Sequence, residues 1–267
     1  MNSSVRYAFL DSGIGGLPYL SYFHEKAPNE QAVYIADTEH FPYGEKTREE
    51  VIRAACGITE RIIERFRPRV IVIACNTISV AALDILRKTF PVPFVGTVPA
   101  VKRAAERSVK KNIGIIATER TIQDPYVTNL IKTYAADCRI TLRGDASLVS
   151  AIENGLITAD AQEKKAAVEP AVMQFKQAGA DTIVLACTHF LHLADVFVEC
   201  AAPEMEIVDS REGVIKQTLR LAPPQNAESG KNRCYVTGIP SDRVARLYNG
   251  YCRLFNLQWC GSLECKD

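Results

Sequence analysis

The chain has 267 residues, 47% of them hydrophobic and 24% charged. This is the composition of a folded globular protein, long enough for one large or two small domains and for a core that needs no staples. Its 32 basic and 31 acidic side chains leave a net charge of +1, which argues against a broad nucleic-acid footprint built on basic excess. The longest strictly apolar run, 70–75, is far too short to span a membrane.

The first element is a strand over 5–10, and no secretory h-region precedes it. LDSGIGG at 10–16 follows, with three glycines that let backbone approach a ligand. It is not a GxGxxG dinucleotide fingerprint, and its Asp11 is also a candidate helix N-cap. A second strand covers 32–36, followed by a loop carrying PYG at 42–44. At Thr47 the sequence TREE forms a capping box. The helix it opens places Val51, Ala55, Ile58, Ile62 and Phe66 at the 3.6-residue period and stops before Pro68. Further strands are expected at 70–74, 94–98, 113–117, 139–142, 182–186, 206–208 and 234–237, and PPQNAESGK at 223–231 reads as a solvated connector. Several strands are nearly continuous apolar runs, as strands buried on both faces of a parallel sheet are. Their alternation with helices predicts an α/β fold of open parallel sheets.

IVIACNT at 71–77 and IVLACTH at 183–189 share Ile-Val and Ala-Cys at matching positions. The echo predicts a duplicated plan of two similar lobes, each with a cysteine at the C-terminal edge of a strand. Ligands of open α/β sheets bind there. Helix starts also lie there, with free N–H groups and partial positive charge, a setting that activates thiols and attracts carboxylates. The nine cysteines contain no CxxC pair or zinc-ligand spacing, which fits reduced thiols in the cytoplasm. Cys75 and Cys187 stand out because they occupy matched positions beside Asn76-Thr77 and Thr188-His189. Three chemistries are open to them. They are disulfide exchange, thiol hydrolysis with Cys187 as nucleophile and His189 as base, and proton abstraction on one face of a carbon with donation on the other.

LDSGIGGL at 10–17, YIAD at 34–37, PYG at 42–44, ACNTIS at 74–79, GIIAT at 114–118, ACTHF at 186–190 and VDS at 208–210 together resemble the cofactor-independent aspartate/glutamate racemase family, its glutamate racemases most closely. The resemblance covers nearly the whole chain. It implies two pseudo-duplicated α/β lobes, 1–97 plus 208–267 and 98–207, with the active site in the cleft between them. It implies reversible interconversion of L- and D-glutamate, without cofactor or metal, for peptidoglycan synthesis in the cytoplasm. By the same resemblance Cys75 takes the α-proton from D-glutamate and Cys187 from L-glutamate. Asp11, His189 and Glu153 would assist the thiols. Asp11, Ser12, Pro42, Tyr43, Gly44, Asn76, Thr77, Thr118, Thr188 and His189 would bind substrate. An aspartate-type racemase is the alternative on this scaffold, and a homodimer is compatible with it. Two departures stand near the second thiol. Phe190-Leu191 replaces the family's usual Tyr-Pro, and Asp124 stands where Ser is usual.

Overall fold

The computed structural model describes residues 5–225 and 230–264. The chain divides into two compact units, Met1–Thr97 with Arg211–Asp267, and Val98–Ser210. In chain order the first unit opens with β1 (Tyr7–Asp11), α1 (Leu17–Lys26), β2 (Ala32–Ala36), α2 (Arg48–Phe66), β3 (Val70–Ile73), α3 (Asn76–Thr89) and β4 (Phe94–Gly96). The second unit follows with α4 (Val101–Arg107), β5 (Asn112–Ala117), α5 (Glu119–Gln123), α6 (Pro125–Tyr134), β6 (Arg139–Gly144), α7 (Ala146–Glu153), α8 (Ala161–Gln177), β7 (Thr182–Leu185), α9 (Ala194–Ala201) and β8 (Glu206–Val208). The chain then returns to the first unit with α10 (Arg211–Leu221), β9 (Arg233–Val236), α11 (Asp242–Leu254) and β10 (Gln258–Ser262).

Each unit holds one parallel sheet. Strand order is β10-β9-β2-β1-β3-β4 in the first and β6-β5-β7-β8 in the second. The segment β2-β1-β3-β4 and the whole second sheet have the same order. The Ala74 N–H donates to the Leu10 carbonyl at 2.7 Å, and the Ala186 N–H donates to that of Ile116 at 2.8 Å. The two Ala-Cys steps therefore leave their sheets at equivalent registers, as the sequence echo predicts.

Every residue of β1, β2, β3 and β7 is buried, which requires cover on both sheet faces. In the first unit Ile58 and Ile62 of α2 and Ile78 of α3 pack on Leu10, Ile35 and Ile71. In the second, Val101 and Ala104 of α4 pack on Ile113, Ile115 and Val184. Each large aliphatic side chain so buried contributes about 1.5–3 kcal/mol. The capping box forms as read: Thr47 Oγ1 accepts from the Glu50 N–H at 3.3 Å, and Glu50 Oε2 accepts from the Thr47 N–H at 2.7 Å. At its other end α2 stops at Arg67, whose left-handed φ of 47° turns the chain before Pro68.

Four expectations need correction. The second unit runs to Ser210 rather than 207, because Val208 pairs with Val184 in the second sheet. The first strand starts at Tyr7, and Val5 instead donates its N–H to the Phe66 carbonyl. The helix after LDSGIGG is capped by Gly16, not Asp11. Cys187 is followed by a 3-10 helix, Thr188–Leu193, before α9 begins; the Phe190 N–H closes an i→i+3 bond on the Cys187 carbonyl. The strand β10 carries no alternating apolar signal and has no counterpart among the expected strands. Part of the expected 223–231 connector, residues 226–229, lies outside the described residues, as does Cys265.

Candidate active site

In the first unit the site residues gather at the C-terminal edge of the sheet. Asp11 ends β1 and Ser12 follows it, while Cys75 is the N-cap of α3 with Asn76 and Thr77 in the first turn. All five are buried. The Cys75 Sγ lies 3.9 Å from Ser12 Oγ. Asp11 is fixed from below, its Oδ2 accepting from the N–H groups of Gly13 and Gly16 at 3.1 Å each. Glycine is required at 16 because a Cβ there would stand 2.7 Å from that of Ala74, the residue before Cys75. Pro42 caps a short 3-10 turn, Tyr43–Glu45, that holds Gly44. Tyr43 is buried in it and donates its hydroxyl to Asp37. Burial first, and then the charge of Asp37, push the Tyr43 phenol far above its usual value, with smaller contributions from Cys75 and Asp11. Tyr43 is therefore a neutral hydroxyl near both.

In the second unit Cys187 follows β7 and is buried with Thr188 and His189. Cys187 Sγ lies 3.9 Å from His189 Nδ1, and the opposite ring nitrogen, Nε2, is 2.8 Å from Glu153 Oε2 at the end of α7. Burial disfavours the charged imidazole, but the hydrogen bonds to Cys187 and Glu153 outweigh it and hold His189 well above its usual pKa. A thiol, an imidazolium and a carboxylate thus stand in line. Thr118 follows β5, the counterpart of β1, and caps α5 by accepting from the Thr121 N–H at 3.2 Å.

The departures have structural explanations. Asp124 is the N-cap of α6, accepting from the Tyr126 N–H at 3.0 Å and pairing with Arg120 at 3.1 Å. Phe190 is fully buried and its ring meets Phe197, so it packs α9 in place of a polar tyrosine.

Sequence reasoning missed the group behind Tyr43. Asp37, the last residue of YIAD, is fully buried and accepts from Thr237 Oγ1 at 2.5 Å as well as from Tyr43. His40 Nδ1 stands 2.9 Å away. The available hint is a carboxylate at the end of an apolar strand, which needs donors to be buried at all. Among the described residues no group of three or more His, Cys, Asp or Glu side chains is placed to hold a metal ion, and no helix is long and apolar enough to cross a membrane.

Residues 20–218 match the family model described as Asp/Glu/Hydantoin racemase. Glutamate racemase of Treponema pallidum is 44% identical over 259 residues, covering 97% of each chain. A Shewanella glutamate racemase is 34% identical over 82% of this chain and 79% of its own. Among solved structures, Escherichia coli glutamate racemase in complex with L-glutamate and the activator UDP-MurNAc-Ala superposes with a TM-score of 0.85 at 28% identity, covering 97% of this chain and 98% of that one. A glutamate racemase isoform from Bacillus anthracis superposes at 0.79 with 27% identity, covering 100% and 98%.

Proposed function

Because this chain belongs to the Asp/Glu/hydantoin racemase family, we propose that it is a glutamate racemase that moves the α-proton between two thiols. Cys75 removes the proton of D-glutamate and Cys187 that of L-glutamate. The other thiol, protonated, returns a proton to the opposite face, so each turnover exchanges the two thiols' states. What supports the reading is one observation above all. Each unit presents a buried cysteine one alanine beyond the end of an equivalent strand, beside polar groups able to tune it. The 44% identity to a glutamate racemase over nearly the full length favours glutamate as substrate.

Removing an α-proton creates negative charge beside the substrate's carboxylate, so donors fixed in advance lower the barrier. The first-turn N–H groups of α3, with the side chains of Ser12, Asn76 and Thr77, supply them around Cys75, and Thr118 and Thr188 do so around Cys187. Tyr43, in the turn with Pro42 and Gly44, gives its one proton to Asp37 and offers its oxygen as an acceptor to the substrate's ammonium group. Asp11 accepts a proton from or orients the first thiol. His189, held by Glu153 and already carrying its proton, orients the second thiol and steadies its thiolate. Holding two thiols against one carbon is worth several kcal/mol by positioning alone. The biological reading that accompanies this chemistry is supply of D-glutamate for peptidoglycan in the cytoplasm.

Circular dichroism of L-glutamate with the purified protein and no added cofactor should decay to zero. In deuterium oxide the product should carry solvent deuterium at the α-carbon. An unchanged signal with glutamate alongside decay with aspartate would replace the substrate. Replacement of Cys75 by Ser should stop turnover. Undiminished racemisation would overturn the two-thiol mechanism, whereas a protein inert toward glutamate that hydrolyses thiol-labile esters with or without Cys75 would favour a Cys187-His189 hydrolase.

A further inference from the structure

The first sheet carries two strands, β9 and β10, that have no counterpart in the second. We propose that the first of them serves the site: Thr237, the residue after β9, is a positioning residue that aims Tyr43 through Asp37. The proposal rests on the reading above in one respect, that Tyr43 touches the substrate.

The hydrogen bonds leave little freedom in this arrangement. Thr237 has one hydroxyl proton and its oxygen accepts from the Glu39 N–H at 3.1 Å, so the proton goes to Asp37 Oδ1 at 2.5 Å. Tyr43 donates to the other oxygen, Oδ2. The two hydroxyls therefore take opposite oxygens of one fully buried carboxylate, and together they fix its plane. His40 bridges both oxygens, at 2.9 and 3.0 Å, but its side chain is 32% exposed and solvent competes for it. The backbone holds Thr237 itself. Its N–H donates to the Ala36 carbonyl at 3.0 Å, and its own carbonyl accepts from Thr38 Oγ1 at 2.9 Å. Without the Thr237 hydroxyl, Asp37 Oδ1 loses its only buried side-chain hydroxyl donor among these contacts. The carboxylate can then turn toward His40 and carry Tyr43 with it.

The second unit does the reverse with the equivalent residue. Asp145 follows β6 as Asp37 follows β2; the Asp145 N–H donates to Ala117 and the Asp37 N–H to Asp11, at 3.0 and 2.8 Å. Yet Asp145 caps α7 and pairs with Arg143, with no tyrosine in its care. The added strand is thus matched to a task that one lobe alone has.

The test compares Thr237→Val, Thr237→Ser, Tyr43→Phe and the Tyr43→Phe/Thr237→Val double variant in both reaction directions. Loss of a hydrogen bond to a charged group is worth roughly tenfold. Thr237→Val should accordingly raise KM for both enantiomers about tenfold and leave kcat within about threefold. Thr237→Ser should restore KM to within about twofold. The double variant should match Tyr43→Phe alone, because both changes act on one contact. Additive losses, a fall in kcat at constant KM, or no rescue by Ser would overturn the proposal. Should Thr237→Val fail to fold, Asp37→Asn paired with Tyr43→Phe carries the same additivity test. The ζ-carbon NMR resonance of Tyr43, assigned by its loss in Tyr43→Phe, should move in Thr237→Val and return in Thr237→Ser. That readout needs no activity. A wild-type protein inert toward glutamate therefore overturns the functional reading, whereas an unmoved resonance overturns the role of Thr237.

Discussion

Cys187 faces an imidazole that burial alone would keep neutral, and two hydrogen bonds reverse that outcome. His189→Gln removes the charge and should lower kcat/KM by about 10²–10⁴. The loss must be the same for both enantiomers, because their equilibrium constant is unity; unequal losses measured by circular dichroism would show that something other than racemisation is followed. The same residue sets a pH dependence. Its folded pKa lies above the unfolded value, so the stability it adds is complete below about pH 6.5 and is lost as pH rises through the folded value. Urea midpoints of the wild type should fall across that alkaline window, and His189→Gln should flatten the fall; parallel curves would contradict it. Of these residues the sequence exposes the thiols and His189 directly, because they sit within one strand-edge motif. Glu153 is legible only through the family resemblance, being 36 residues from His189. Asp37 and Thr237, 200 residues apart, carried no local sign of meeting, since only strand order brings β9 beside β2.

Elements differ in how much of their cause is local. The capping box and apolar period of α2 are written within its own residues, and Thr47→Ala should cost about 1 kcal/mol of stability with KM for glutamate unchanged. Gly16 is different in kind. Gly16→Ala would drive a methyl into Ala74, costing about 1–3 kcal/mol, and would disturb the N–H that Asp11 Oδ2 accepts. Its kcat should therefore fall as well, and an active Gly16→Ala enzyme would refute the packing argument. The strand β10 shows where local signals end. QWCGS, with a glycine at φ 74° and a register shift between Trp259 and Ser262, has no pattern of its own. It becomes a strand only because β9 offers an unpaired edge.

At the scale of the whole chain, the second unit is one uninterrupted segment with its sheet complete inside it. A fragment 98–210 should fold alone, since a domain of this size buries enough surface to be stable. It should unfold cooperatively by far-UV circular dichroism and show no turnover of glutamate. A fragment ending at 207 should melt lower, having lost the pairing of Val208 with Val184. Two cooperative fragments of equal melting temperature would place the boundary at 207, where the family resemblance puts it.

The return of the chain to its first sheet also sets an order of events at the ribosome. Nascent domains fold as they emerge, at about 5–20 residues per second. Strands β1 to β4 emerge first, the entire inserted unit next, and β9 only near the end of translation. Asp37 is thus made early, together with Tyr43, and receives its partner Thr237 only near the end. A polypeptide released early can own both thiols and still lack a finished pocket.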